Sequence, residues 1–258
     1  MFNKKIVVTA VLGAISMSAL AEGFSISPLL VDIQTKGVKR STSFEVNNDD
    51  ALPVKMEMKA SDWSQPISSE WSQDGKNEVY ADTKDLTFFP KVFTVAPHSK
   101  QVVRVSYKGD LNINKDNAYR LWFSEIKEST NAKKEIGSNS IGAVVTLSYR
   151  IGAGIFVQQT GKPTNDLSTK ICANDKGEYQ LIINNLGNTH LSPSETKFKL
   201  TKLNGDVVEI AGPPTWHILP GVERTFTLKD FKCKDYSSAS LIIDGIPART
   251  IPTTLNCN

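Results

Sequence analysis

Histidine and cysteine are both scarce, three of each in 258 residues. His98, His190 and His217 each sit beside turn residues, and none adjoins a candidate nucleophile, so turn or surface positions are expected for all three. No G-x-S-x-G elbow, H-E-x-x-H pair, Walker loop or dinucleotide fingerprint occurs. The local motifs for hydrolysis, zinc chemistry, nucleotide binding and hydride transfer are therefore missing. No catalytic residue, metal ligand or cofactor is assigned. Asn48-Asp49-Asp50 lacks the further spaced oxygen ligands of a calcium loop and reads as a solvated turn. Net charge is also small, with 30 basic residues against 27 acidic ones. That balance offers no electrostatic case for nucleic acid or a membrane surface as partner.

Long apolar runs are lacking except at the start. Lys4 and Lys5 precede an apolar stretch from Ile6 to about Leu20, interrupted by Thr9, Ser16 and Ser18 and closing on Ala19-Leu20-Ala21. This is the pattern of a signal peptide over residues 1–21, cleaved after Ala21. It is too short and too rich in serine for a membrane anchor, and no later segment is apolar enough to span, so direct membrane insertion is not expected. Cleavage removes two lysines and no acid, leaving 28 basic residues against 27 acidic. The cysteines, Cys172, Cys233 and Cys257, all lie in the C-terminal part of this exported chain. An oxidising compartment permits one disulfide and leaves one thiol. No C-x-x-C pair or nearby histidine supports a metal site.

What the sequence does contain is a succession of short runs rich in β-branched and aromatic residues, separated by Asn, Asp, Gly, Ser and Pro. That punctuation predicts an all-β protein, and no helical period competes with it. Seven strands are expected first: Phe24 to Ile33, Ser41 to Val46, Val54 to Ala60, Leu86 to Val95, Gln101 to Tyr107, Tyr119 to Ile126 and Ile141 to Val157. Seven strands make one immunoglobulin-like sandwich. Trp63 to Lys84 forms a polar excursion with two Trp-Ser-Gln triplets, whose tryptophans are expected to pack locally. Turn-forming Gly161 to Asn165 marks a boundary, giving domains at 22–161 and 162–258. The second has expected strands Leu167 to Cys172, Tyr179 to Asn184, Thr196 to Leu203, Val207 to Ile210, Arg224 to Leu228, Ala239 to Asp244 and Arg249 to Asn256. An internal echo relates the halves: Val95-Ala96-Pro97-His98 and Ile218-Leu219-Pro220-Gly221 lead into strands at the same offset. If the strands of the second domain simply alternate in direction, all three cysteines end at one pole, and spacing does not choose the pair.

Several segments, in order, resemble the PapD-like periplasmic chaperones of the chaperone/usher pathway. They are Phe24 to Pro28, then Ser43 to Asn48, then the proline-led strand and turn from Phe89 to Val105. His98 stands where that family prefers glycine. Ala118-Tyr119-Arg120-Leu121-Trp122-Phe123-Ser124-Glu125-Ile126 is similar to the family's sixth strand, though Lys127 and Glu128 replace its usual prolines. Asn184 to His190 resembles its Asn-x-Gly-Asn turn, and the Trp-Ser-Gln excursion resembles most the archaic branch.

The resemblance implies a fold of two immunoglobulin-like β-sandwich domains in tandem, a periplasmic location, and pilus subunits and an outer-membrane usher as partners. It also implies donor-strand complementation, in which the chaperone's seventh strand fills a subunit's open groove. That strand would present Ile141, Ala143, Val145, Leu147 and Tyr149, which alternate with small or polar residues. Four large side chains at about 1.5–3 kcal/mol each give about 10 kcal/mol of gross burial before association costs. Alternation alone is equally compatible with these residues facing the protein's own core. The family grips the subunit's C-terminal carboxylate with bases on its first and seventh strands, but the matching positions here, Leu30 to Asp32 and Gly154, carry none. Arg104 and Arg120 substitute on charge grounds, with Arg150 a third candidate. The competing readings are a pilus subunit or two-domain adhesin, which should carry a donor extension after the leader, and a β-sandwich hydrolase, for which no polar site is found.

Overall fold

The computed structural model describes residues 23–65, 69–70, 79–127, 148–192, 196–212, 217–243 and 249–257. Side-chain alternation decides which face of each strand is buried. In Ser99–Tyr107, for example, Val103, Val105 and Tyr107 are fully buried, while Lys100, Val102 and Arg104 face outward.

The N-terminal half of the chain contains β1 (Phe24–Ser27), β2 (Leu30–Gln34), β3 (Ser41–Asn48), β4 (Val54–Ser64), β5 (Ser69–Glu70), β6 (Val79–Asp82), β7 (Leu86–Phe89), β8 (Val92–Val95), β9 (Ser99–Tyr107), β10 (Asn117–Glu125) and β11 (Arg150–Gln158), all but β5 forming a sandwich. One sheet runs β1-β3-β9-β7, and the other runs β2-β11-β10-β4-β6 with β8 also on β4. Between them Phe44, Val46, Met56, Val103, Leu121, Phe123 and Ile155 close a core, with the Phe44 and Phe123 rings edge to face at 6.0 Å.

Two expected strands are each two strands. Phe24 to Ile33 divides at Pro28: β1 pairs with β3, whereas β2 joins the other sheet parallel to β11. Leu86 to Val95 divides at Pro90 in the same way, β7 pairing with β9 and β8 with β4. Proline has no N–H for the ladder and a fixed φ, so the run breaks there and its continuation finds other partners. Expected strand Ile141 to Val157 is observed from Arg150, and residues 141–147 lie outside the described residues.

The C-terminal sandwich comprises β12 (Leu167–Ala173), β13 (Tyr179–Asn185), β14 (Thr196–Lys202), β15 (Val207–Ala211), β16 (Glu223–Thr227), β17 (Tyr236–Ile243) and β18 (Arg249–Asn256). Its sheet runs β15-β14-β17-β18-β12-β13-β16 and wraps a core of Ile171, Leu181, Ile183, Phe198, Leu200, Phe226 and Leu241. Beyond β16 the sheet takes up β5, contributed by the N-terminal half of the chain, which pairs parallel with Arg224 and Thr225.

The echo between the halves has a structural counterpart. Asn48 is buried and donates its amide to the carbonyls of Leu52, Val95 and Ala96 at 2.8–3.1 Å, while its own carbonyl receives the Asp50 N–H. Asn185, equally buried, donates to Thr189 and Ile218 and receives from the Gly187 N–H. At the echo's turns, His98 holds φ 50° and Gly221 φ 77°, both left-handed, which explains glycine at the second position and the strain histidine tolerates at the first.

The disulfide joins Cys233 and Cys257 across a Cα–Cα distance of 5.4 Å, leaving Cys172 free and half-buried. All three cysteines do meet at one pole, since Cys172 stands opposite Asn256 in the ladder, one residue from Cys257. Facing selects the pair: Ile171 fills the core, so Cys172 points to the other side, whereas Cys233 is fully buried. No helix among the described residues is long and apolar enough to cross a membrane.

Candidate functional site

The outward face of the β2-β11-β10-β4 sheet changes character along its strands. Tyr119, Leu121 and Phe123 of β10 turn into the core, so Ala118, Arg120 and Trp122 turn out. Register sets their neighbours. Arg120 lies between Ser61 of β4 and Gly154 of β11, and Gly154 faces Leu30 of β2. Leu30 and Gly154, two positions where the resemblance called for a base, are thus ladder partners.

Arg120 comes close to Gly154 of that pair. Its guanidinium lies 3.7 Å from the centre of the Trp63 ring, and Nη1 reaches toward the Gly152 carbonyl at 3.4 Å. A Cβ on Gly154 would come within 2.7 Å of Leu30 Cδ2 and 3.2 Å of Arg120 Nη1, so glycine there leaves the room the guanidinium uses. The next outward row repeats the arrangement. Arg150 lies 4.0 Å over the Trp122 ring, which donates Nε1–H to Ser61 Oγ at 2.9 Å and meets Tyr80 edge to face at 4.9 Å. Stacking on an indole fixes the plane of a guanidinium, whose fork geometry suits a carboxylate.

On the other side of Arg120, the face is covered by the C-terminal sandwich. Phe156 stacks flat on His190 at 3.9 Å and also touches Trp63 and His217. His190 is clamped by two aspartates of the N-terminal half. Asp116 Oδ2 accepts from its backbone N–H at 3.0 Å and lies 2.8 Å from Nδ1, and Asp32 Oδ1 stands 3.3 Å from Nε2. Burial raises the Asp32 carboxyl, and the Asp116 charge adds to this against His190. Burial pushes Asp116 upward too, but hydrogen bonds from His190 and the Gln159 N–H outweigh it and hold it below its ordinary value. His217 is pushed down to about 4, chiefly by burial, with the charges of His190 and Arg120 adding.

Two of the three histidines depart from expectation. His98 occupies a turn, but His217 is buried and His190 partly buried between the sandwiches, brought there by contacts between segments far apart in sequence. His217 also has a hydroxyl neighbour, Ser192 Oγ at 2.6 Å from Nδ1. The acid beside the cluster, Asp116, serves the other histidine, whose ring centre is 6.5 Å away. Trp63 likewise does not pack locally. It is nearly fully buried in the core of the C-terminal sandwich and edge-on to His217. Trp71 lies outside the described residues.

Of the expected donor residues, Ile141, Ala143, Val145 and Leu147 lie outside the described residues. Tyr149 is 52% exposed, and its carbonyl accepts the Glu125 N–H at 3.0 Å, continuing the β10–β11 ladder. Arg104 and Arg120 are not brought together: Arg104 is exposed on β9, opposite Phe89 and Ser43 in the other sheet. Among the described residues, β11 is paired on both edges over only part of its length. Gly154 to Gln158 pair with β2, but Arg150 to Ala153 pair only with β10 among the described residues.

The profile of a family described as pili and flagellar-assembly chaperone, PapD N-terminal domain, matches residues 23–158. Solved structures of similar fold include the class 5 fimbriae chaperone CfaA, 15% identical with a TM-score of 0.57, covering 90% of this chain and 99% of that one. Another is the CsuC-CsuE chaperone-tip adhesion subunit pre-assembly complex from archaic chaperone-usher Csu pili of Acinetobacter baumannii, 16% identical with a TM-score of 0.55, covering 91% and 99%. A third is the E. coli chaperone DraB, 13% identical with a TM-score of 0.55, covering 91% and 97%. No curated protein matches the chain.

Proposed function

The chain belongs to the pili and flagellar-assembly chaperones, and from that premise we propose that it binds, folds and caps fimbrial subunits by donor-strand complementation and passes them to an outer-membrane usher. It acts in the periplasm after loss of residues 1–21, through domains at 22–161 and 162–258, and is most like the archaic branch. The observation that carries this reading is the edge of β11 at Arg150 to Ala153, which pairs with no second strand among the described residues. A ladder edge continuous with an alternating apolar segment, Ile141 to Tyr149, is what a subunit lacking a strand requires, since it offers main-chain partners and pocket-filling side chains together.

We assign the carboxylate anchor to Arg120. Its support is the guanidinium's position beside Gly154 and over Trp63, next to Arg150 to Ala153. Arg104, in the other sheet, is left out. No enzymatic role is assigned: His217, held near 4, is a poor base for Ser192 at neutral pH.

Periplasmic co-expression with fimbrial subunits tests the reading. The chain alone should be soluble, and it should co-purify one-to-one with a subunit that is otherwise degraded. Arg120→Met, which keeps bulk and removes charge, should weaken capture by about 2–5 kcal/mol, as expected for an unpaired buried terminus. Arg104→Ala should leave capture unchanged. A chain that stabilises no subunit overturns the function, and full capture by Arg120→Met overturns the anchor alone.

A further inference from the structure

Arg120 lies on a ring that belongs to the C-terminal core. The ring beneath it, Trp63, leaves β4 at its far end and enters the C-terminal sandwich, where it packs with Ala118, Phe156, Ile218 and Leu219 and meets His217 edge-on at 5.7 Å. Two residues on, the buried side chain of Gln65 fastens the chain at that point. Its Nε2 donates to the His217 carbonyl at 2.8 Å, and its Oε1 accepts the Leu219 N–H at 3.0 Å. Both bonds run from the N-terminal half to the loop before β16, over more than 150 positions of sequence. Beyond Gln65, β5 adds its two residues to the edge of β16. Trp63, Gln65 and β5 thus form a strap that starts in one sandwich and is built into the other.

We propose that Gln65 is a positioning residue for Arg120: by fastening Trp63 into the C-terminal sandwich, it holds the indole on which the guanidinium lies, so Arg120 is presented to a subunit carboxylate only when the two sandwiches are docked. The inference rests on the assignment of Arg120 as anchor. A guanidinium laid on a fixed ring loses little freedom on binding, whereas a released one must be ordered by the ligand. The strap makes the difference between the two states depend on the domain interface.

The first measurement needs no subunit. In the free wild-type protein, the Trp63 ring current should shift the Arg120 side-chain resonances upfield. In Gln65→Ala, and in Gln65→Glu, which keeps the shape but cannot donate to the His217 carbonyl, those resonances should move toward free arginine while the amide spectrum of each β-core persists. The second measurement is capture of a co-expressed fimbrial subunit. Gln65→Glu should weaken it about tenfold, the scale of a lost cation–π platform. It should have no further effect in an Arg120→Met background, because a residue that acts through Arg120 cannot matter without it. Unmoved Arg120 resonances in both Gln65 variants, or additive losses in the double variant, would overturn the proposal. Undiminished capture by Arg120→Met would instead remove the anchor assignment, even if the resonances move.

Discussion

Asn48 and Asn185 tie the same knot in the two sandwiches, each buried amide bridging the turn that follows its own strand to the strand or bridge that carries the Val95 or Ile218 carbonyl. Replacement of either by leucine removes these donors, at about 1–3 kcal/mol for each carbonyl left without another partner, and the Ile218 carbonyl keeps the Leu191 N–H. Because Asn48 serves three carbonyls and Asn185 two, Asn48→Leu should be the more damaging. Urea unfolding of the two variants against wild type measures this, and equal or negligible losses would reduce the knots to surface turns.

The redox state is sharply defined. Thiol titration in denaturant without reductant should find one thiol, that of Cys172. Cys172→Ser should melt as wild type. Loss of the Cys233–Cys257 bridge, which closes a separation of 24 residues, should cost about 3 kcal/mol by loop entropy. Three titratable thiols, or destabilisation by Cys172→Ser alone, would contradict the pairing.

Acid should loosen the protein through His217. An unfolded imidazole titrates near 6.5, but the buried one only near 4. Between those values the unfolded chain binds a proton that the folded chain refuses, so stability is full above about 6.5 and falls by about 3 kcal/mol toward pH 4. Asp116, held below its ordinary value, extends the loss to lower pH: its contribution is present above the unfolded pKa and disappears as pH falls through the folded one. Asp32, raised by burial, works in the opposite sense. Melting temperatures at pH 7 and pH 4.5 should therefore diverge in wild type and converge in His217→Asn. An unaltered slope in that variant would place the acid sensitivity elsewhere.

For the donor segment, Leu147→Asp should leave the free protein melting nearly as wild type and abolish subunit capture, because the charge would enter an apolar groove at a cost of several kcal/mol. Thr146→Asp, on the opposite face, should capture normally. Collapse of soluble yield in Leu147→Asp would return that side chain to the protein's own core.

Most strands were legible from composition and punctuation, since β14, β15 and β18 fall within a residue or so of their expected bounds. The failures are informative. Pro28 and Pro90 were visible in the expected strands, but the change of sheet at each depends on pairing with β11 and β4, which local pattern does not encode. Arg120 was named, with Arg104, on charge grounds. Its indole partner was missed, because Trp63 reaches it by register across β4 and β10, and the burial of His190 and His217 depends on how the two halves meet. The one available clue was the echo, which sets His217 beside the turn equivalent to that of Val95 to His98.

The strap of Trp63, Gln65 and β5 also blurs what counts as a half of this molecule. By sequence it belongs to the first sandwich. By packing it supplies an aromatic side chain to the second core, satisfies backbone groups at His217 and Leu219, and covers the edge of β16. A cut at the linker would therefore leave the C-terminal fragment with a hole, two orphaned polar groups and a sticky margin. Hybrid proteins that exchange C-terminal halves between relatives should fold and assemble only when residues 63–70 travel with the half they serve.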